Sequence, residues 1–232
     1  CDHRIILKKT GKREDTMAEI IDGKKISQEI KDELKEKVAA MHAQGQEVTL
    51  AVVLVGQDPA SCVYVRNKKR ACEYIGIRSL SYELAEDTSE EEVLALIDKL
   101  NGDKDVNGIL VQLPLPKHMD EDKITRAIDP LKDVDGFHPQ NVGALSIGLP
   151  GFVSCTPAGI IQLLKRSHID MEGKHCVIVG RSNIVGKPMA LLMLRENATV
   201  TVTHSKTKDL ASVTRQADIL IVAIGKPKFI TE

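Results

Sequence analysis

Three groups of residues carry chemistry by type and spacing. Tyr64 and Lys68 stand four apart, and Ser61 lies three before Tyr64. In a helix these three share one face. Lys68 has cationic neighbours in Lys69 and Arg70, and a pocket lowers a lysine's pKa further, which suits it to move protons. The same residues also fit a solvated basic face. Gln112 ends the apolar run Gly108-Ile109-Leu110-Val111. An amide there needs a hydrogen-bond partner, structural or functional. Asp133-Val134-Asp135-Gly136 sets two carboxylates two apart. That invites acid–base or metal readings, but Asp-Gly is also a common turn pair. No further acid or histidine cluster completes a metal site, so no metal is expected. His118 and His138 are isolated and read as structural or solvated.

A second region, Val177-Ile178-Val179-Gly180-Arg181-Ser182-Asn183-Ile184-Val185-Gly186, runs from a strand pattern through a glycine turn into a helix pattern. Backbone N–H groups and a helix N-terminus in that context face a pyrophosphate. The usual spacing is G-x-G-x-x-G. Here Ser182 holds the second glycine's place and Gly186 comes one residue late, so an ordinary strand-to-helix turn remains an alternative. The next strand ends in Thr203-His204-Ser205-Lys206, with no acid where NAD enzymes place one for the ribose 2′-hydroxyl. A hydroxyl, an imidazole and cations accept a 2′-phosphate, which favours NADP over NAD. A solvated loop is the alternative.

These groups need elements to hold them. Apolar residues recur at helical intervals over Lys24–Gln44. Val48–Val55 reads as a strand covered on both faces. Asp58-Pro59 starts a helix that runs to about Tyr74 and ends at Gly76. Arg78–Leu84 reads as a strand, Ser89–Leu100 as a helix with a capping box at Ser89 and Glu92, Asn107–Leu113 as a buried strand and Asp120–Ile128 as a short helix. Residues 129–155 read as loop. Thr156-Pro157 caps a helix to about Ser167. Strands over His175–Val179, Thr199–Thr203 and Ile219–Ile224 then alternate with helices over Ile184–Arg195 and Lys208–Arg215. Such alternation implies parallel sheets with right-handed crossovers. The expected organisation is an extension at 1–16, poorly ordered, then an α/β domain at 17–150 and a Rossmann-like parallel-sheet domain at 151–232. The end at Phe229–Glu232, directly after a strand-like run, reads as a truncation.

The 232 residues are 42% hydrophobic and 28% charged, so disordered and fibrous classes are excluded. A net charge of -1 gives no global field for nucleic acid or anionic membrane, and 3% aromatics with no Trp argue against base-stacking platforms. No apolar run reaches membrane-spanning length. Five cysteines, with no C-x-x-C pair, fit a reducing compartment.

Taken together and in order, VGQDPASCVYVRNKKRACEYIGI, GILVQLPLP, DPLKDVDGFHPQNVG, CTPAGI, VIVGRSNIVGKPMA, THSKT and ADILIVAIGKP resemble one family. It is the bifunctional methylenetetrahydrofolate dehydrogenase/methenyltetrahydrofolate cyclohydrolase family, matched over roughly residues 17–232. The resemblance implies two α/β domains flanking a cleft. It implies oxidation of 5,10-methylenetetrahydrofolate with NADP, then hydrolysis of the methenyl product to 10-formyltetrahydrofolate. By position, Lys68 resembles the essential lysine of the hydrolytic step and Gln112 the glutamine that partners it. Tyr64 resembles the tyrosine packed on the pterin, Asp135 the aspartate that binds its ring, and Ser61 a serine near the same group. Gly180, Arg181, Ser182, Ile184, Gly186, His204, Ser205 and Gly225 match cofactor-binding positions. The resemblance further implies a cytoplasmic homodimer in one-carbon metabolism and purine biosynthesis, with no nucleic-acid or membrane partner. Family members continue with another strand, a Pro-Gly-Gly loop and a last helix. Two other readings are an NAD-linked dehydrogenase-only relative and a non-catalytic nucleotide-binding or dimer-forming module.

Overall fold

The structure is a computed structural model and describes residues 5–7, 19–226 and 228–231. Its elements, in chain order, are strand β1 (Ile5–Leu7), helix α1 (Gly23–Ala43), β2 (Thr49–Val55), α2 (Pro59–Ile75), β3 (Arg78–Leu84), α3 (Glu90–Gly102) and β4 (Gly108–Val111). There follow α4 (Glu121–Ala127), α5 (Pro139–Ile147), α6 (Cys155–Arg166), β5 (His175–Val179), α7 (Gly186–Arg195), β6 (Thr199–Thr203), α8 (Leu210–Thr214) and β7 (Ile219–Val222). Two compact units result, one of residues 22–141 and the other of residues 142–232 with 1–21.

In the first unit β3-β2-β4 form a parallel sheet, with Val53 paired to Val111 and to Tyr82. Both faces of β2 are covered, which is why it reads as a continuous apolar run. Ala51, Val53 and Val55 face α3 and α4 residues such as Val93, Ile97 and Ile124. Val52 and Leu54 pack with Val65 of α2. The signals for α2 act as the sequence suggests. The Asp58 carboxylate accepts from the Ser61 N–H at 2.8 Å, and Gly76 closes the helix at φ +96°. The capping box of α3 is also formed.

In the second unit β7, β5 and β6 are parallel, and β1 adds to β7 in antiparallel register. Ile178, Ile219 and Ile221 pack with Met189 and Met193 of α7 and Leu164 of α6. Among the described residues, no helix is long and apolar enough to cross a membrane.

The two-unit α/β plan and its parallel sheets match expectation, and four details differ. Residues 139–147, expected as loop, form α5; its mixed Asn, Gly and Ser content hides the short helix. Helix α6 starts at Cys155, so Thr156 lies inside it, and Ser154 precedes it. The Ser154 hydroxyl instead donates to the Ile184 carbonyl at 2.6 Å. The division between units falls at Asn141/Val142, earlier than the expected 150/151. Within the expected extension, residues 5–7 pair as a strand, and residues 1–4 and 8–16 lie outside the described residues.

Candidate active site

The first constellation lies in the unit of residues 22–141. Lys68 projects from the middle of α2, and its Nζ donates to Gln112 Oε1 at 2.9 Å. Gln112 follows β4, and its N–H donates to the Val53 carbonyl at 2.8 Å, so the sheet fixes its backbone. Its Nε2 donates to the Leu113 carbonyl at 2.7 Å. That second bond settles the amide's orientation and leaves Oε1 facing the lysine. Both side chains are half-buried, and a charge-assisted bond in such a place is stronger than one in water.

Asp135 reaches the same place from the loop after α4. The Gly136 N–H donates to the Asp133 carbonyl at 3.1 Å, which makes Val134 and Asp135 the centre of a tight turn. Gly136 takes the positive φ of +65° that this turn needs. Burial pushes the Asp135 carboxyl up to about 6. The nearby Lys68 ammonium opposes that rise, and the Asp133 carboxylate adds to it. Lys68, Gln112 and Asp135 thus come from three separate elements to one spot.

Tyr64 lies one turn before Lys68 on α2 and is 43% exposed. Ser61 is buried, with its N–H on the Asp58 cap. His118 and His138 lie outside this cluster. The His118 ring meets the Thr88 carbonyl at 2.9 Å. The His138 ring accepts from the Gln140 N–H at the start of α5.

The second constellation lies in the other unit. Gly180 follows β5 at φ +127°, and any Cβ there would overlap the Ala223 carbonyl oxygen. A Cβ on Gly186 would overlap the Gly180 carbonyl and sit 2.7 Å from Arg181 Cα. Close approach of turn and helix therefore requires glycine at both positions. Ser182 Oγ accepts from the Val185 and Gly186 N–H groups at 3.2 and 3.3 Å, so the hydroxyl ties the turn that leads into α7. Arg181, Asn183 and Ile184 are exposed, and the first turn of α7 has no acid.

At the end of β6, His204 and Ser205 begin a loop tied by the Thr207 hydroxyl, which accepts from the His204 N–H at 2.9 Å. His204 Nδ1 accepts from the Lys206 N–H at 3.1 Å, which leaves Nε2 as the outward-facing nitrogen. Gly225 follows β7 at φ +61°, with open space where a side chain would stand. A turn without carboxylates, exposed Arg181, Ser205 and Lys206, and a helix N-terminus form a donor set for a phosphorylated dinucleotide. NADP fits this set better than NAD.

Sequence reasoning weighed Asp133 only as one of a carboxylate pair or as part of a turn, and missed Lys132 and Asn141, which help hold the Asp135 turn. Asp133 and Asn141 are 1% and 5% exposed, and Lys132 Nζ donates to the Leu100, Asn101 and Asp103 carbonyls at the end of α3. The signal for Asp133 lay in the turn pair itself, because the first position of a turn favours Asp. Asn141 carried no signal while 129–155 read as loop.

Two family models match the chain. Residues 21–135 match the tetrahydrofolate dehydrogenase/cyclohydrolase catalytic domain, and residues 154–232 match the NAD(P)-binding domain of the same proteins. The bifunctional protein FolD of Agathobacter rectalis is 73% identical over 92% of this chain and 77% of its own length. The crystal structure of the bifunctional enzyme FolD of Campylobacter jejuni is similar at a TM-score of 0.86 and 56% identity, over 88% of this chain and 73% of that one. The Trypanosoma brucei methylenetetrahydrofolate dehydrogenase-cyclohydrolase, complexed with NADP and an inhibitor, gives a TM-score of 0.86 at 37% identity, over 90% and 73%. The chain belongs to the tetrahydrofolate dehydrogenase/cyclohydrolase family.

Proposed function

We propose that Lys68, Gln112, Tyr64 and Asp135 carry the folate chemistry of this enzyme. Its reaction is oxidation of 5,10-methylenetetrahydrofolate to the methenyl form with NADP, followed by hydrolysis to 10-formyltetrahydrofolate. The observation that carries the assignment is the 2.9 Å bond between Lys68 Nζ and Gln112 Oε1 beside the half-buried Asp135 carboxyl.

The Asp135 carboxylate accepts two hydrogen bonds from the pterin's amino and ring N–H donors, which fixes the ring. Tyr64 packs its face, and Ser61 supports the same helical turn. When bound, NADP takes the hydride that leaves the methylene carbon. That departure creates a cation, so the Asp135 carboxylate near the ring favours it. In the second step Lys68 serves the proton transfer, taking a proton from the water that attacks the methenyl carbon. It returns that proton to N5 as the carbon–N5 bond breaks, and the hydroxyl proton leaves to solvent. Gln112 does not titrate; it orients the lysine Nζ.

Gly180, Arg181, Ser182, Ile184, Gly186, His204, Ser205 and Gly225 would hold NADP, with Arg181 and Ser205 on the 2′-phosphate. We place the enzyme in the cytoplasm, where its product serves one-carbon metabolism and purine biosynthesis. Among the described residues the thiols of Cys62, Cys72 and Cys176 are in no disulfide, which is consistent with that placement. The family resemblance suggests a homodimer, and the sheet-edge strand β6 offers unpaired backbone groups to a second copy. Neither nucleic acid nor membrane enters this reading. Absorbance assays of NADPH formation and of methenyl hydrolysis test it. Both activities are expected, and their joint absence overturns it.

A further inference from the structure

The loop that presents Asp135 has no long element of its own, yet it is tied down at several points. Asp133 makes a single parallel bridge with Ile109 of β4, and the Ile109 N–H donates to the Lys132 carbonyl at 2.7 Å. Val134 packs against β4, where a Cβ on Gly108 would stand only 2.5 Å from its Cγ1. Behind the turn Asp133 Oδ2 accepts from the His138 N–H at 2.8 Å and from Asn141 Nδ2 at 3.0 Å. Asn141 Nδ2 also donates to the Pro130 carbonyl at 2.9 Å. One buried amide therefore grips the loop before the turn, at Pro130, and at the turn's first residue, Asp133. A buried carboxylate is costly unless it is bonded, and these contacts supply its bonds. It lies at the start of α5, where the helix dipole favours negative charge.

We propose that Asp133 and Asn141 form a positioning clasp for folate binding, holding the Asp135 turn against Lys68. The inference rests on the assignment of Asp135 to the pterin. Neither clasp residue touches the reacting atoms; both act through Asp135. The charged groups that bear on Asp135 are Lys68 from α2 and Asp133 from its own loop. A looser turn lets water reach Asp135 and lowers its pKa toward that of an ordinary carboxylate.

The test measures steady-state kinetics against both substrates as a function of pH. For Asn141→Ala the KM for methylenetetrahydrofolate rises by about tenfold or more, as expected for a misplaced anchor. The KM for NADP stays within about twofold. The acid limb of the kcat/KM profile moves down from near 6. Asp133→Asn keeps an oxygen that accepts both bonds, so it retains most of the folate affinity, whereas Asp133→Ala behaves like Asn141→Ala. Asn141→Ser, which keeps one donor, gives an intermediate KM and serves if the alanine variant does not fold. A merely structural role lowers thermal stability and active fraction but leaves both KM values and the acid limb in place; that result overturns the proposal. Asp135→Ala is measured alongside. If it leaves the folate KM unchanged, the assignment of Asp135 itself fails. If it raises the folate KM and the clasp variants do not, only the clasp fails.

Discussion

The two constellations are built in opposite ways. The folate group assembles half-buried side chains from α2, the end of β4 and the loop after α4, with Lys68 bonded to Gln112 and Asp135 within its electrostatic reach. The nucleotide group is local. It consists of one turn between β5 and α7 and the end of the neighbouring strand β6, with exposed side chains and backbone close to glycine. Burial lets the first group shift the Asp135 carboxyl to about 6. Exposure leaves the second to bind through screened charge and backbone geometry. Catalytic groups need the altered chemistry of burial, whereas a phosphate-bearing cofactor needs a shape and a positive rim.

That contrast breaks most sharply at Gly186. Gly186→Ala forces a methyl group into the Gly180 carbonyl, so NADP binding is lost and stability falls by about 2–4 kcal/mol. Calorimetric NADP titration and thermal unfolding check both effects. On the folate side, Gln112→Ala leaves Lys68 without its acceptor, and methenyl hydrolysis falls by about 100-fold with NADP affinity unchanged. Arg181→Ala raises the Kd for NADP by about tenfold at low salt and leaves that for NAD nearly unchanged, with the difference shrinking as salt rises. Equal losses for both cofactors would remove Arg181 from the 2′-phosphate.

The smallest effect concerns stability. Because the folded Asp135 pKa is raised, its ionised form costs stability, and that cost is present above pH 6. It fades as pH falls from 6 through about 4 and is gone below about 3, where the carboxyl is protonated in folded and unfolded chains alike. Asp135→Asn therefore raises the Tm by a few degrees at pH 8, corresponding to about 1–3 kcal/mol, and by progressively less as pH falls through 4 toward about 3. Its folate KM rises at every pH. A pH-independent Tm change would mean that Asp135 is not desolvated.

The same contrast explains what could be read from the residues. The β5 turn was legible because its parts are adjacent in the chain, and β2 and α2 because periodicity and caps act locally. The Tyr64–Lys68 spacing gave a helix face, but spacing alone could not distinguish a solvated basic face from a site. Only packing brings Gln112, 44 residues on, to Lys68 Nζ. Ser182 looked like a weak substitute for glycine, and its bonds to the Val185 and Gly186 N–H groups explain why a serine suffices. Helix α5 was missed because Asn141, Gly143 and Ser146 interrupt its helix formers, and Asn141's tie to Asp133 went with it.

The reading turns on Lys68 performing the hydrolytic step. Lys68→Met tests it most directly, with methenyl hydrolysis, NADP affinity and the circular dichroism spectrum measured on one preparation. The account predicts hydrolysis lowered by about 10³-fold or more, with NADP affinity and spectrum unchanged. Hydrolysis at the unmutated rate in a folded variant would contradict it.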